Sequence, residues 1–175
     1  MLDRLPDFID PLAFADRQRQ LVGEIALNKL ARLADLLSDD KGVISVDLSF
    51  SKDGRLAIIQ GRIKADLKVE CQSCLETMDW PLDLDINLAA VKSLEIADKL
   101  AGVYEPLILE EQRISFNELI EDELLLALPD FPRHQQNCMK SQASASKSQA
   151  DDEAAQSSPN NPFSILAQLK NTGDQ

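Results

Sequence analysis

From Val43 to Val91 the chain alternates between apolar and polar residues. Ile44, Val46, Leu48 and Phe50 fall on one side of a two-residue period, and Ser-Lys-Asp-Gly at 51–54 then supplies a turn, with Gly54 where a positive φ is wanted. The return strand alternates cleanly after Gly61, with Ile63, Ala65, Leu67, Val69 and Cys71 on one side and Arg62, Lys64, Asp66, Lys68 and Glu70 on the other. Beyond a bend at CQSC, Leu82, Leu84, Ile86 and Leu88 alternate with Asp83, Asp85 and Asn87. The pattern predicts an antiparallel meander over residues 43–91 with one buried and one solvated face. Its solvated face should set a basic row beside an acidic one.

The flanks follow a different period. IDPLAFADRQRQLVGEIALNKLARLADLLSDD reads as mostly helical, with Asp10 as N-cap and Pro11 at the first helical position. Gly23 interrupts it. Either one long helix tolerates the glycine, or a first helix ends near Gln20, LVGEIAL forms a short strand, and a second helix starts with Asn28 as cap. The split is preferred, and the second helix would bury Leu30, Leu33, Ala34 and Leu37. After Leu94 a surface excursion leads to a short strand at 104–109. A final helix then begins at a capping box, Ser115 with Glu118, and stops before Pro129. Its apolar face is Phe116, Leu119, Ile120, Leu124, Ala127 and Leu128. Glu118, Glu121 and Asp122 are expected on the solvated face, and Glu123 nearer the apolar side.

Three segments result. Residues 1–138 form a single α+β domain, an antiparallel sheet or partly closed barrel of about five strands with flanking helices. Residues 139–158, which past Met139 have no aliphatic side chain larger than Ala, read as a disordered linker. Residues 159–175 read as a short amphipathic helix, capped by Asn161 and Pro162, with Phe163, Leu166 and Leu169 recurring every three residues beside Ile165. Such a helix is marginal alone, so it either folds back on the domain or serves as a tethered docking peptide.

Charge narrows the function. The chain holds 30 Asp and Glu against 18 Lys and Arg, a net charge of −12, and residues 101–130 contribute seven of those charges. Sequence-independent grip on phosphate comes from Lys and Arg displacing the counterions of the nucleic acid, so a role in coating RNA is strongly disfavoured. Arg62, Lys64 and Lys68 form the one basic row with any geometry. It lacks the interleaved aromatics of a single-strand binder, and pairing with Asp79, Asp83 and Asp85 accounts for it more simply. No apolar run reaches the roughly 20 residues that span a bilayer, and the N-terminus carries acids and prolines where a signal peptide would be basic and then apolar. A cytoplasmic protein without membrane contact is expected.

Every cysteine and the single histidine fall into two pairs. Cys71 and Cys74 form a CxxC on the bend between two strands, and His134 and Cys138 an HxxxC after the acidic helix. Three thiolates and one imidazole are an accepted structural zinc set; the alternative is a bend with unbound thiols. A redox CxxC normally opens a helix, and here strand is expected on both sides. Four protein ligands would leave no open position, so zinc there would be structural. No GxSxG and no phosphate-cradling glycine loop occur, so no enzyme activity is expected.

The order IDP, VECQSCLE, YEPLILEE, ELIEDELLLALP, P-x-H with a following Cys, and NPFSILAQLK resembles the bacterial YceD family, the large ribosomal RNA subunit accumulation proteins. The resemblance spans almost the whole chain apart from 139–158. The residues matching its motifs are Cys71, Gln72, Cys74, Glu121, Asp122, Glu123, Leu128, Pro129, His134, Cys138, Asn161, Pro162 and Phe163. Some relatives carry a second CxxC where this chain has HxxxC. The resemblance implies a role in synthesis, processing or stability of 23S ribosomal RNA without established enzymatic activity. The expected mode is contact with a basic ribosome-assembly or rRNA-modifying protein through Glu118, Glu121, Asp122, Glu123 and the terminal Phe163, Leu166 and Leu169. The alternative is direct binding of pre-ribosomal 23S rRNA through Arg62, Lys64 and Lys68.

Overall fold

The computed structural model describes residues 4–100, 102–136 and 138, all within the unit Met1–Met139. The expected linker and terminal helix, with Phe163, Leu166 and Leu169, lie outside the described residues.

The two-residue period builds the centre. Strands β3 (Val43–Asp53), β4 (Leu56–Glu70) and β5 (Thr77–Val91) pair antiparallel, and Gly54 at φ 59° opens the two-residue turn between the first two. Ile44, Val46, Leu48 and Phe50 meet Ile63, Ala65 and Leu67 on one buried face, joined by Ile86 and Leu88 and by the half-buried Trp80, Leu82 and Leu84. Gly61 has a positive φ of 155°, and a Cβ there would lie 2.0 Å from the Asp47 carbonyl oxygen of β3. Only glycine allows β3 and β4 to run so close at that point.

LVGEIAL is a strand. Strand β2 (Gln20–Ala26) pairs antiparallel with β3 at one sheet edge. Both helices around it are shorter than the sequence suggests. Helix α1 (Pro11–Asp16) is capped by Asp10, which accepts from Ala13 N–H at 3.0 Å, and it ends a turn early, since Gln20 already belongs to β2. Asn28 caps nothing: Leu27–Lys29 form a 3-10 turn, and α2 is the single turn Ala31–Ala34 with Leu30 at its N-cap. Burial of Leu27, Leu30 and Leu33 holds this stretch in place where helix propensity alone would have run on.

The far edge departs from the antiparallel expectation. Strand β6 (Glu105–Ile108) pairs parallel to β5, so the order is β2-β3-β4-β5-β6 and the sheet is open, not a barrel. A parallel neighbour requires a crossover, here residues 92–104 with the one-turn helix α3 (Leu94–Ala97). That crossover returns over the outer face. Asn87 Nδ2 donates to Val103 O and Tyr104 Oη donates to Asp53 at 3.1 Å, and at this end Ile58, Ala89 and Val91 are buried although they point away from the main core. The expectation of one wholly solvated face therefore fails at this end.

A two-stranded ribbon, β1 (Phe8–Ile9) with β7 (Ile114–Ser115), leads into helix α4 (Phe116–Ala127). Ser115 Oγ accepts from Glu118 N–H at 3.3 Å, and Leu128 turns extended before Pro129. Phe116, Leu119, Ile120 and Leu124 join the strand residues in one core. Among the described residues no helix is long and apolar enough to cross a membrane.

Candidate metal centre and acidic flank

The six residues 71–76 between β4 and β5 fold back tightly, Cys71 N–H donating to Glu76 O and Leu75 N–H to Cys71 O. Leu75 takes a left-handed φ of 61°, which a chain accepts only where its surroundings impose it. Gln72 N–H donates to Pro132 O at 2.8 Å, stitching the turn to the segment that follows α4. The two ligand pairs thereby come together. Cys71 Sγ lies 3.8 Å from Cys138 Sγ, and Cys74 Sγ 3.5 Å from His134 Nδ1. All four donor atoms are within 4.8 Å of one another. Ligands about 2.3 Å from a tetrahedral ion stand roughly 3.7 Å apart, so the set can hold a metal ion with little movement.

The electrostatics agree with the donor chemistry. Burial acts to raise the Cys71 thiol, but backbone N–H groups of Cys74, His134 and Ser73 with the His134 side chain overcome it and bring Cys71 down to about 5. Cys138 is pushed up to about 11 by burial and by the neighbouring sulfurs of Cys74 and Cys71. Thiols packed so closely cannot all ionise together unless a cation shares their charge.

The acidic helix is divided by the fold. Glu118 and Asp122 are exposed, Glu123 is half-buried and Glu121 is 5 % exposed. Glu121 therefore does not lie on the solvated face. Its Oε1 accepts from Leu33 N–H at 3.1 Å and its Oε2 from Arg32 Nε at 2.9 Å, while Asp122 takes the other side of the same guanidinium at 2.8 Å. Leu30 cannot cap α2 with its own side chain, and Glu121, 88 residues along the chain from Leu33, caps the turn in its place. The one local signal for this was a leucine where a capping residue would stand.

Burial, then Glu105 and Asp122, raise the Glu123 carboxyl above its ordinary value. The folded chain thus holds that proton to higher pH than the unfolded chain, and stability falls as pH rises from the unfolded value of 4.5 through the raised one. Glu123→Gln should raise the thermal midpoint at neutral pH and leave it unchanged well below pH 4.5. Equal shifts at both pH values would contradict this origin.

On the outer sheet face two members of the basic row are paired with aspartates. Arg62 bonds Asp85 at 3.0 Å and Asp83 at 3.2 Å, Lys64 reaches Asp83 at 3.4 Å, and Lys68 stands opposite Asp79 in the register.

The profile of the family described as large ribosomal RNA subunit accumulation protein YceD matches residues 59–170, a stretch that includes the CxxC, the acidic helix and the HxxxC. The chain belongs to the YceD family. A relative of that name from Haemophilus influenzae is 34% identical over 170 residues, covering 95% of this chain and 97% of its own. No solved structure matches the chain. In this YceD-family fold the motif residues Cys71, Cys74, His134 and Cys138 converge on one point, whereas Glu121 is buried and its motif neighbour Asp122 exposed, on two sides of the Arg32 guanidinium.

Proposed function

We propose that the protein is a noncatalytic cytoplasmic factor in the accumulation of large-subunit 23S ribosomal RNA, acting through a basic protein partner from ribosome assembly or rRNA modification. The observation that carries this reading is the placement of charge. Arg62 and Lys64 are already bound to aspartates, while Glu118 lies exposed beside the acidic 105–111 stretch and two carboxylates, Glu121 and Asp122, share the single Arg32. A surface of this sign attracts a basic protein and repels phosphate. Glu123 adds to the field from its half-buried place, Glu121 contributes only to the fold, and the terminal Phe163, Leu166 and Leu169 supply a second, apolar contact. Zinc, held by Cys71, Cys74, His134 and Cys138, locks the β4–β5 turn to the segment after α4 as a structural ion.

Affinity recovery of the tagged full chain from lysate, with and without nuclease, tests the reading. A basic ribosome-assembly or rRNA-modifying protein is expected to remain after RNA digestion. Partners that vanish with the RNA would replace this reading with direct binding through Arg62, Lys64 and Lys68.

A further inference from the structure

Phe8 of β1 is 60 % exposed and Ile108 of β6 is 42 % exposed. A single exposed apolar side chain needs no explanation, but these two line the same groove of about 580 Å³, into which the core residue Leu119 also opens. The groove lies where two sheet margins meet, β6 being the outer strand of the large sheet and β1 half of the ribbon. Pro106 withholds a backbone donor from β6, which disfavours extension of the sheet by a partner strand and leaves side-chain docking as the mode of use.

The rim decides what fits. Among the described residues Glu110, Glu111, Glu118 and Asp122 line the groove against Arg113 alone, and Asp122 is partly neutralised by Arg32 from outside it. An apolar floor within such a rim selects a segment that brings both a large apolar side chain and flanking cations, and it repels RNA. Residues 159–175 of this chain supply the apolar part but only Lys170 against Asp174, so they match the floor and not the rim.

Resting on the partner reading above, we propose that this groove receives a segment of a basic protein in which a large apolar residue, flanked by Lys or Arg, seats against Phe8 and Ile108. The test uses the full chain with p-benzoylphenylalanine in place of Phe8, photolysed in cells and treated with nuclease. Val22, 42 % exposed on β2 at the opposite sheet edge, carries the same group as control. The expected adduct from position 8 is a peptide of a basic protein with Lys or Arg on both sides of an apolar residue, absent from position 22. Combining Glu110→Gln, Glu111→Gln and Glu118→Gln, with the thermal midpoint within a few degrees, should lower its yield by about tenfold. Adducts to RNA or to residues 159–175, equal yield in the triple variant, or no adduct at position 8 would overturn the groove. The nuclease-treated recovery separates the two failures: a basic protein still retained leaves the broader reading standing, and none retained ends both.

Discussion

Purified without chelator, the chain is expected to carry close to one zinc ion, and Cys74→Ser or His134→Ala should reduce that content nearly to zero. The four donor atoms already stand within 4.8 Å of one another, so binding asks for little rearrangement. An ion that binds the folded chain and not the unfolded one stabilises it by about 4 kcal/mol when free metal is a thousand times the dissociation constant. For a domain of this size that is on the order of 10 °C in the thermal midpoint, which a strong chelator should remove. The sheet should survive, because the main core is built from residues outside the turn. The turn and the segment after α4 should separate, and hydrogen exchange would then speed at Gln72 N–H, the amide that joins them to Pro132. Metal-free protein with all three thiols titrating freely would refute the site.

Glu121→Ala should be the most damaging single change in the acidic helix, costing about 3 kcal/mol. It removes the acceptor of Leu33 N–H, leaves the one-turn helix α2 uncapped, and frees one side of the Arg32 guanidinium. Removing one partner of a buried, hydrogen-bonded pair costs about 3–5 kcal/mol; the half-exposed Arg32 places this case at the low end. Glu121→Gln keeps an oxygen for the Leu33 amide and should recover roughly half of the loss. Asp122→Asn breaks an exposed ion pair and should cost less than about 1 kcal/mol. Urea unfolding reads all three, with a lower midpoint and an unchanged slope. A Glu121→Ala variant within 1 kcal/mol of the parent would show that the bond to α2 adds little.

The chain alone determined whatever depends on near neighbours. Alternation from Val43 to Val91 set three strands and the face each residue shows, because side chains two apart in a strand always share a side. Gly54 marked the turn between β3 and β4, Ser115 and Pro129 bounded α4, and the acidity of residues 101–130 could be counted. The CxxC and HxxxC gave a complete donor set, though not its convergence. Only the tertiary structure decided which surfaces meet. It placed β6 parallel to β5, since a four-residue strand carries no record of its partner's direction. It covered Ile58, Ala89 and Val91 with the returning crossover and shortened α1 and α2 to what their neighbours could accommodate. It also took Glu121 from a helix face that looked solvated and buried it as the cap of another helix 88 residues away. The spacing of charges on α4 predicts how they stand relative to one another, but the choice between water and protein for each belongs to the element packed against it.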